Sequence, residues 1–235
     1  MLNVLGPAQA SEDVAAMDAP IVRRLQEALN SSNEADLKGL LVGEQALEMQ
    51  SRFRNFSAQF SDANWSVSKG EPLQDGRNTV NVAVSAIQQQ GGVSYAVDAK
   101  QRLALITEAG LIVGQEVIDE QSILRNAIKP LPISLMIPDA VLTGSRYDVD
   151  VILENPLGEA MVAGGLISLT PDQVRGQFSP AIQLEPLGGG GLFKSVKAPL
   201  KPGHQTWAAL LVHPDGLVSV TKRVRVVNTE ASLTP

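Results

Sequence analysis

The spacing of apolar residues changes once, after Asp62, and this change limits the possible folds more than any other feature of the chain. Before it, apolar residues recur at three- and four-residue intervals, as on one face of a helix. After it they alternate with polar residues, as on a half-buried strand. In residues 15–29, Ile21, Val22, Leu25, Ala28 and Leu29 form one stripe, with Arg23, Arg24, Gln26 and Glu27 mostly turned away. Ser31 and Glu34 have the spacing of a capping box for a short second helix that directs Leu37, Leu40 and Leu41 inward and ends at Gly43. A third helix over residues 44–60 aligns Ala46, Met49, Phe53, Phe56 and Phe60, using three of the five phenylalanines on one face.

The strand pattern begins with a short run at 65–69. Val80, Val82, Val84 and Ala86 then alternate with Thr79, Asn81, Ala83 and Ser85. Gly91 and Gly92 turn the chain into Val93, Tyr95, Val97 and Ala99, with Leu103 and Leu105 beyond, and Ala109-Gly110 turns it again into 111–118. Long strands joined by short turns predict an antiparallel meander with one face against the helices.

Pro130 and Pro132 interrupt this pattern. With 235 residues, 44% of them hydrophobic and 19% charged, the chain has the size and composition of two folded domains. The expected division is a disordered or signal-remnant segment at 1–14, an α+β domain at 15–128, a Pro-rich linker at 129–132, an all-β domain at 133–228 and a tail at 229–235. Seven apolar runs fall in the second domain, at 133–137, 146–153, 161–169, 181–184, 192–198, 205–213 and 217–227, separated by Pro and Gly. Alternation is clean in two of them. Tyr147, Val149, Val151 and Leu153 oppose Asp148, Asp150 and Glu154, while Val218, Val220, Val224 and Val226 oppose Ser219, Thr221, Arg223 and Arg225. Runs of this length and spacing predict a β-sandwich.

Three amino-terminal helices followed by about four long, bent strands resemble the cone of the NTF2-like (cystatin-like α+β) superfamily over residues 15–126. The seven runs beyond Pro132 resemble an immunoglobulin-like sandwich, without its two cysteines and with Trp207 in the sixth run. The expected class is therefore α+β: a three-helix cone with a curved antiparallel sheet, then an Ig-like sandwich. The first resemblance implies either ketosteroid-isomerase-like and dehydratase enzymes or non-catalytic adaptors. The enzymes place an Asp or His base and a Tyr or Asp donor inside the cone. The first domain has no histidine, and its one tyrosine, Tyr95, faces away from Asp98 on the same strand. Asp62 and Glu116 are the remaining carboxylate candidates.

Other chemistry has weak support. The glycine run 188–191 lacks the Gly before Lys194 that a phosphate loop requires. His204 and His213 are nine residues apart, on opposite faces of any regular strand, and there are no cysteines to complete a metal site. Asp148 and Asp150 share a strand face, where a solvated polar surface is the default and calcium the alternative. Asn30, Asn55 and Asn64 head glycosylation triplets. No metal and no cofactor is therefore expected.

The net charge is -6, and the only basic cluster, Lys222, Arg223 and Arg225, lies in a strand-like run and reads as a solvated sheet face, so nucleic acid is not an expected partner. No apolar run approaches the roughly 18 residues of a spanning helix. Ala8-Gln9-Ala10 matches a signal cleavage site, which predicts an exported, periplasmic or lumenal protein if the start is a truncated signal and a cytoplasmic one otherwise. The expected function is a non-catalytic protein-interaction or scaffolding module. It would bind a protein partner through strand edges and the cone mouth, or a second copy through an outer face bearing Ala83, Ala86, Ala96 and Ala104. The alternatives are a carrier of small apolar ligands in a pocket lined by Phe53, Phe56, Phe60, Trp65 and Tyr95, and an isomerase-like enzyme.

Overall fold

The computed structural model describes residues 10–31, 33–127, 131–154, 160–176 and 180–235. The signal-like Ala8-Gln9 pair and residues 129–130 of the expected linker lie outside them. Among the described residues, four α-helices stand against twelve strands. The chain divides into two compact units, 1–84 with 102–117, and 85–101 with 118–235.

In the first unit, α1 (Ala10–Asn30), α2 (Glu34–Lys38) and α3 (Glu44–Gln59) precede β1 (Asn64–Lys69). The unit also holds parts of β2 (Thr79–Gln90), β3 (Val93–Glu108) and β4 (Leu111–Ala127). Ile21, Leu25, Ala28 and Leu29 of α1 pack with Leu37, Leu40, Val67, Val80, Val82, Leu103 and Ile112. Full burial of a side chain such as Leu25 stabilises by roughly 1.5–3 kcal/mol. Two polar residues of α1, one helical turn apart, cap the edge of β1. Gln26 Oε1 accepts from the Val67 amide at 2.9 Å, and the Asn30 side-chain amide bonds Trp65 N–H at 2.9 Å and Trp65 C=O at 2.8 Å. These bonds occupy backbone groups that an end strand would otherwise leave open. They also engage the Asn30 amide of the first glycosylation triplet.

Two local expectations change. The N-cap of α2 is Asn33, whose side chain accepts from Ala35 N–H, while Ser31 Oγ accepts from Asn33 N–H and donates to Asp36. Gly39 ends α2, and Gly43, at φ 90°, instead starts α3. Gly91 and Gly92, at φ 60° and 80°, form the expected tight hairpin turn between β2 and β3.

In the second unit, β4 pairs along Gln121–Ala127 with β12 (Gly216–Val227), which pairs antiparallel with β11 (Gly203–His213). β11 pairs with β8 (Ala163–Leu169), β8 with β9 (Glu185–Pro186), and β6 (Ala140–Leu142) runs parallel to β12. A separate three-stranded sheet has the order β10-β7-β5, built from β10 (Gly191–Lys197), β7 (Arg146–Leu153) and β5 (Ile133–Met136). Tyr147, Val149, Val151 and Leu153 on β7 share one core with Trp207, Ala209 and Leu211 on β11 and with Val218, Val220, Val224 and Val226 on β12. The even-odd alternation read from β7 and β12 is the alternation of their inner and outer faces. A short helix, α4 (Pro171–Gly176), follows β8.

The expected class, an α+β cone followed by an Ig-like sandwich, is overturned. A cone needs the sheet to stop after its fourth strand and curl around the helices. Here the strand order continues β1-β2-β3-β4-β12-β11-β8-β9. β4, at 17 residues, is far longer than the usual strand, and its outer half satisfies its backbone by pairing with β12. β12 therefore joins a strand that precedes residue 133, which the seven-strand sandwich did not allow. Residues 181–184 also form no strand. A Cβ on Gly165 would come within 2.2 Å of the Gln183 carbonyl oxygen and 2.5 Å of Ile182 Cγ2, so this segment lies against β8 at a glycine where close backbone approach is required.

Candidate functional site

In the first unit, the helical face of α3 brings its aromatic residues together as the spacing predicts. The Phe56 and Phe60 ring centroids lie 5.0 Å apart, Phe56 and Trp65 5.2 Å, and Phe53 and Trp65 5.9 Å. These are packing distances. Phe60 is buried, and Phe53 and Trp65 pack on the unit's core. Tyr95, the fifth residue of the expected pocket, stands in the part of β3 that belongs to the second unit. A cleft in the first unit lies elsewhere, between α1 and the strands, lined by Ile21, Val22, Lys69, Thr79, Val80 and Leu105 among others. Its volume is about 30 Å³, space for a water or two, whereas ligand pockets measure about 300–1,000 Å³.

The carboxylates considered for acid-base work are not set in an apolar pocket beside a donor. Glu116 accepts from Arg77 Nη1 at 2.6 Å, Asp98 from Arg125 at 2.8 Å, and Asp62 is exposed beside Ser61. Arg77 also binds Asp75 at 2.8 Å. The hydrogen bonds that Arg77 donates to Glu116 and Asp75 raise the guanidinium pKa, and the Arg77 backbone and side chain lower that of Asp75. His204 and His213 stand near the two ends of β11, about 30 Å apart at strand rise. His213 Nδ1 accepts from Asp215 N–H at 3.0 Å across the hairpin turn. The glycine run 188–191 leads from β9 into β10, with a strand on either side.

Sequence spacing missed one buried group. Lys222 reads as part of a solvated basic cluster, yet it falls on the same strand face as Val220 and Val224 and is only 4% exposed. Its Nζ donates to Asp119 Oδ1 and Asp139 Oδ1, both at 2.5 Å. Burial works to lower its pKa, but the hydrogen bonds and charges of the two carboxylates outweigh burial and raise it. A lysine held as a cation in this way is suited to clamping strands and unsuited to acting as a nucleophile, which requires a depressed pKa. Arg223, pointing the other way, binds Glu120 at 2.9 Å, and Arg225 donates to the Ser232 and Leu233 carbonyls, which tie down the chain end. The position of Lys222 between two core valines was the available signal.

Beside Lys222, in the same core, Trp207 Nε1 donates to the Tyr147 hydroxyl at 2.9 Å, which donates to Gln205 Oε1 at 2.5 Å. Burial raises the pKa of Tyr147. Lys194 Nζ caps the Trp207 ring from 5.6 Å.

The outer face of the sheet β10-β7-β5 has a different character. Register places Phe193 opposite Asp150 and Asp150 opposite Met136, so one cross-strand row reads Phe-Asp-Met. Phe193 and Met136 are 61% and 62% exposed, large values for apolar side chains that flank one carboxylate in a single row of a sheet. The neighbouring rows are Ser195–Asp148 on one side and Gly191–Ile152–Ser134 on the other, and Lys197–Arg146 closes one end. Ser134 Oγ donates to Glu154 at 2.6 Å, while Asp148 and Asp150 carry no ion pair among the described residues. The sequence had set these two aspartates on one strand face. It did not indicate that Phe193 and Met136, 57 residues apart, would flank them.

The alanines expected to share an outer homodimer face do not do so. Ala83 is exposed and Ala96 half-buried, but Ala86 and Ala104 are buried. Among the described residues, no helix is long and apolar enough to cross a membrane. Residues 128–227, under half of the chain, match a family described as a domain of unknown function, DUF8623. None of the curated proteins matches the chain.

Proposed function

We propose that this protein is a non-catalytic interaction module whose contact surface is the outer face of β10-β7-β5. The observation that carries this reading is the row Phe193–Asp150–Met136: two exposed large apolar side chains flanking a carboxylate that has no ion-pair partner among the described residues. Stable monomers bury or scatter such groups, and apolar side chains clustered with a few polar groups are the usual composition of a binding patch. The mutual packing of Phe53, Phe56, Phe60 and Trp65 supports this reading over a carrier of apolar ligands, and the ion pairs of Glu116 and Asp98 support it over an isomerase.

Site-specific photocrosslinking in the producing cells tests the reading. A photoreactive phenylalanine analogue at position 193 or 136 is expected to give discrete adducts with another protein, and the same analogue at Ile106, which is also exposed but lies in the first unit, is not. Equal adducts from position 106, or none from 136 and 193, would contradict it.

A further inference from the structure

Resting on the interaction reading above, we infer that the partner of this face is a short amphipathic helical segment that presents a Lys or Arg between two apolar side chains and lies across the three strands. Three observations lead there. The first is charge. Asp148 and Asp150 project from adjacent rows of one face, and no cation among the described residues is paired with either. Asp150, set between two exposed apolar side chains with Asp148 in the next row, gains most from a cation placed against it, because a bidentate Arg or a Lys desolvated by apolar neighbours makes a strong charge-assisted contact.

The second is spacing. Phe193, Asp150 and Met136 sit on neighbouring strands, so their side chains step across the sheet at about 4.8 Å per strand. On a helix, side chains three or four residues apart are neighbours at about 5–6 Å. A pattern of apolar, cation and apolar residues at three- or four-residue intervals therefore sets one group over each member of the row. The same pattern along a strand, at about 6.8 Å for every second residue, would run out of step.

The third is size and polarity. With β7 eight residues long, the three-strand face covers about 400 Å², roughly half of what each partner buries in a standard globular complex. A helix laid across the three strands, about 10–12 Å wide, contacts about 150 Å² of it, the part centred on the Phe193–Asp150–Met136 row. Arg146 and Lys197, two rows from Asp150 along the strands, lie to one side of such a helix and favour an acidic residue of the partner on that flank.

The test uses the full chain. A displayed library of random 16-residue peptides is selected on the immobilised protein, and the enriched sequences are measured by fluorescence anisotropy on the wild type, on F193S/M136S and on D148N/D150N. The enriched peptides are expected to carry Lys or Arg three or four residues from apolar side chains on both sides. Both double variants are expected to weaken binding at least tenfold, as is exchange of the peptide cation for Glu. All four substituted positions lie on the outer face, so melting temperatures close to wild type keep any loss from being read as unfolding.

Peptides that lose affinity on F193S/M136S but bind D148N/D150N as tightly as wild type would overturn the cationic partner and leave the contact face standing. Peptides indifferent to F193S/M136S, or no enrichment at all, would overturn both.

Discussion

Lys222 permits a comparison in which two ways of breaking the same interaction should differ greatly in cost. Its ammonium lies on the core face of β12 between Val220 and Val224, held by Asp119 and Asp139. The lysine side chain is 5% exposed, while those of Asp119 and Asp139 are 26% and 68% exposed. Replacing both aspartates by alanine leaves a charge without a partner among valines, and stranding a buried charge costs about 3–5 kcal/mol. At about 2–4 °C per kcal/mol for a chain of this size, the melting temperature of D119A/D139A should fall by roughly 6–20 °C. Lys222→Met removes the charge and keeps the packed stem, and the two aspartates can turn to water. Exchanging a buried ion pair for an apolar group of similar volume is often neutral, so the expected cost is about 1 kcal/mol or less.

Urea and thermal unfolding followed by circular dichroism would measure both variants. If Lys222→Met is as damaging as D119A/D139A, the clamp reading is wrong. The pH dependence adds a second check. A lysine whose folded pKa is raised contributes stability that is fully present below its unfolded value of about 10.4 and lost as pH rises through the folded value. Wild type and Lys222→Met should therefore keep a constant difference from pH 6 to 9, and wild type should lose ground only at higher pH.

Three further substitutions follow from particular geometries. Ala109, at φ 48° in the turn between β3 and β4, is a non-glycine residue in a left-handed conformation that disfavours a Cβ by about 1–2 kcal/mol; Ala109→Asn should raise stability by about 0.5–1 kcal/mol in urea titration. Gly165→Ala must displace the Gln183 carbonyl, and a loss of about 1–3 kcal/mol is expected, whereas Gly189→Ala, which has open space around it, should change stability little. Tyr147→Phe leaves the buried Trp207 N–H without its acceptor, which should cost about 1–3 kcal/mol and alter the tryptophan fluorescence.

Much of the local structure could be read from side-chain periodicity, and the reason for its limits is physical. The alternation in β7 and β12 reports which residues face a core, and it placed Tyr147, Val149, Val218 and Val224 correctly. It carries no information about which strand lies alongside. The pairing of Ile123 with Val220 joins residues nearly a hundred positions apart, and backbone hydrogen bonds have no residue code to announce it. The excess length of β4 was the available hint, since a strand of that size needs more partners than a four-stranded cone supplies.

Proximity along the chain misled at Lys222. Grouped with Arg223 and Arg225 it looked like a solvated patch, although alternation alone sets it on the opposite face from them. The contact face has the same history. Asp148 and Asp150 were visible as a pair, but Phe193 and Met136 become their neighbours only through the register of two separate ladders. The aromatic face of α3 was legible as a packing stripe. What could not be read was that its rings fill their own space, leaving Tyr95 to the other unit.

The central claim is that the protein acts by contact through one sheet face, and hydrogen-deuterium exchange of the full chain, with and without the tightest selected peptide, tests it most directly. Slowed exchange confined to residues 133–136, 146–153 and 191–197 is the predicted result. Protection centred on α3 and the cleft of the first unit, or spread evenly over the chain, would contradict it.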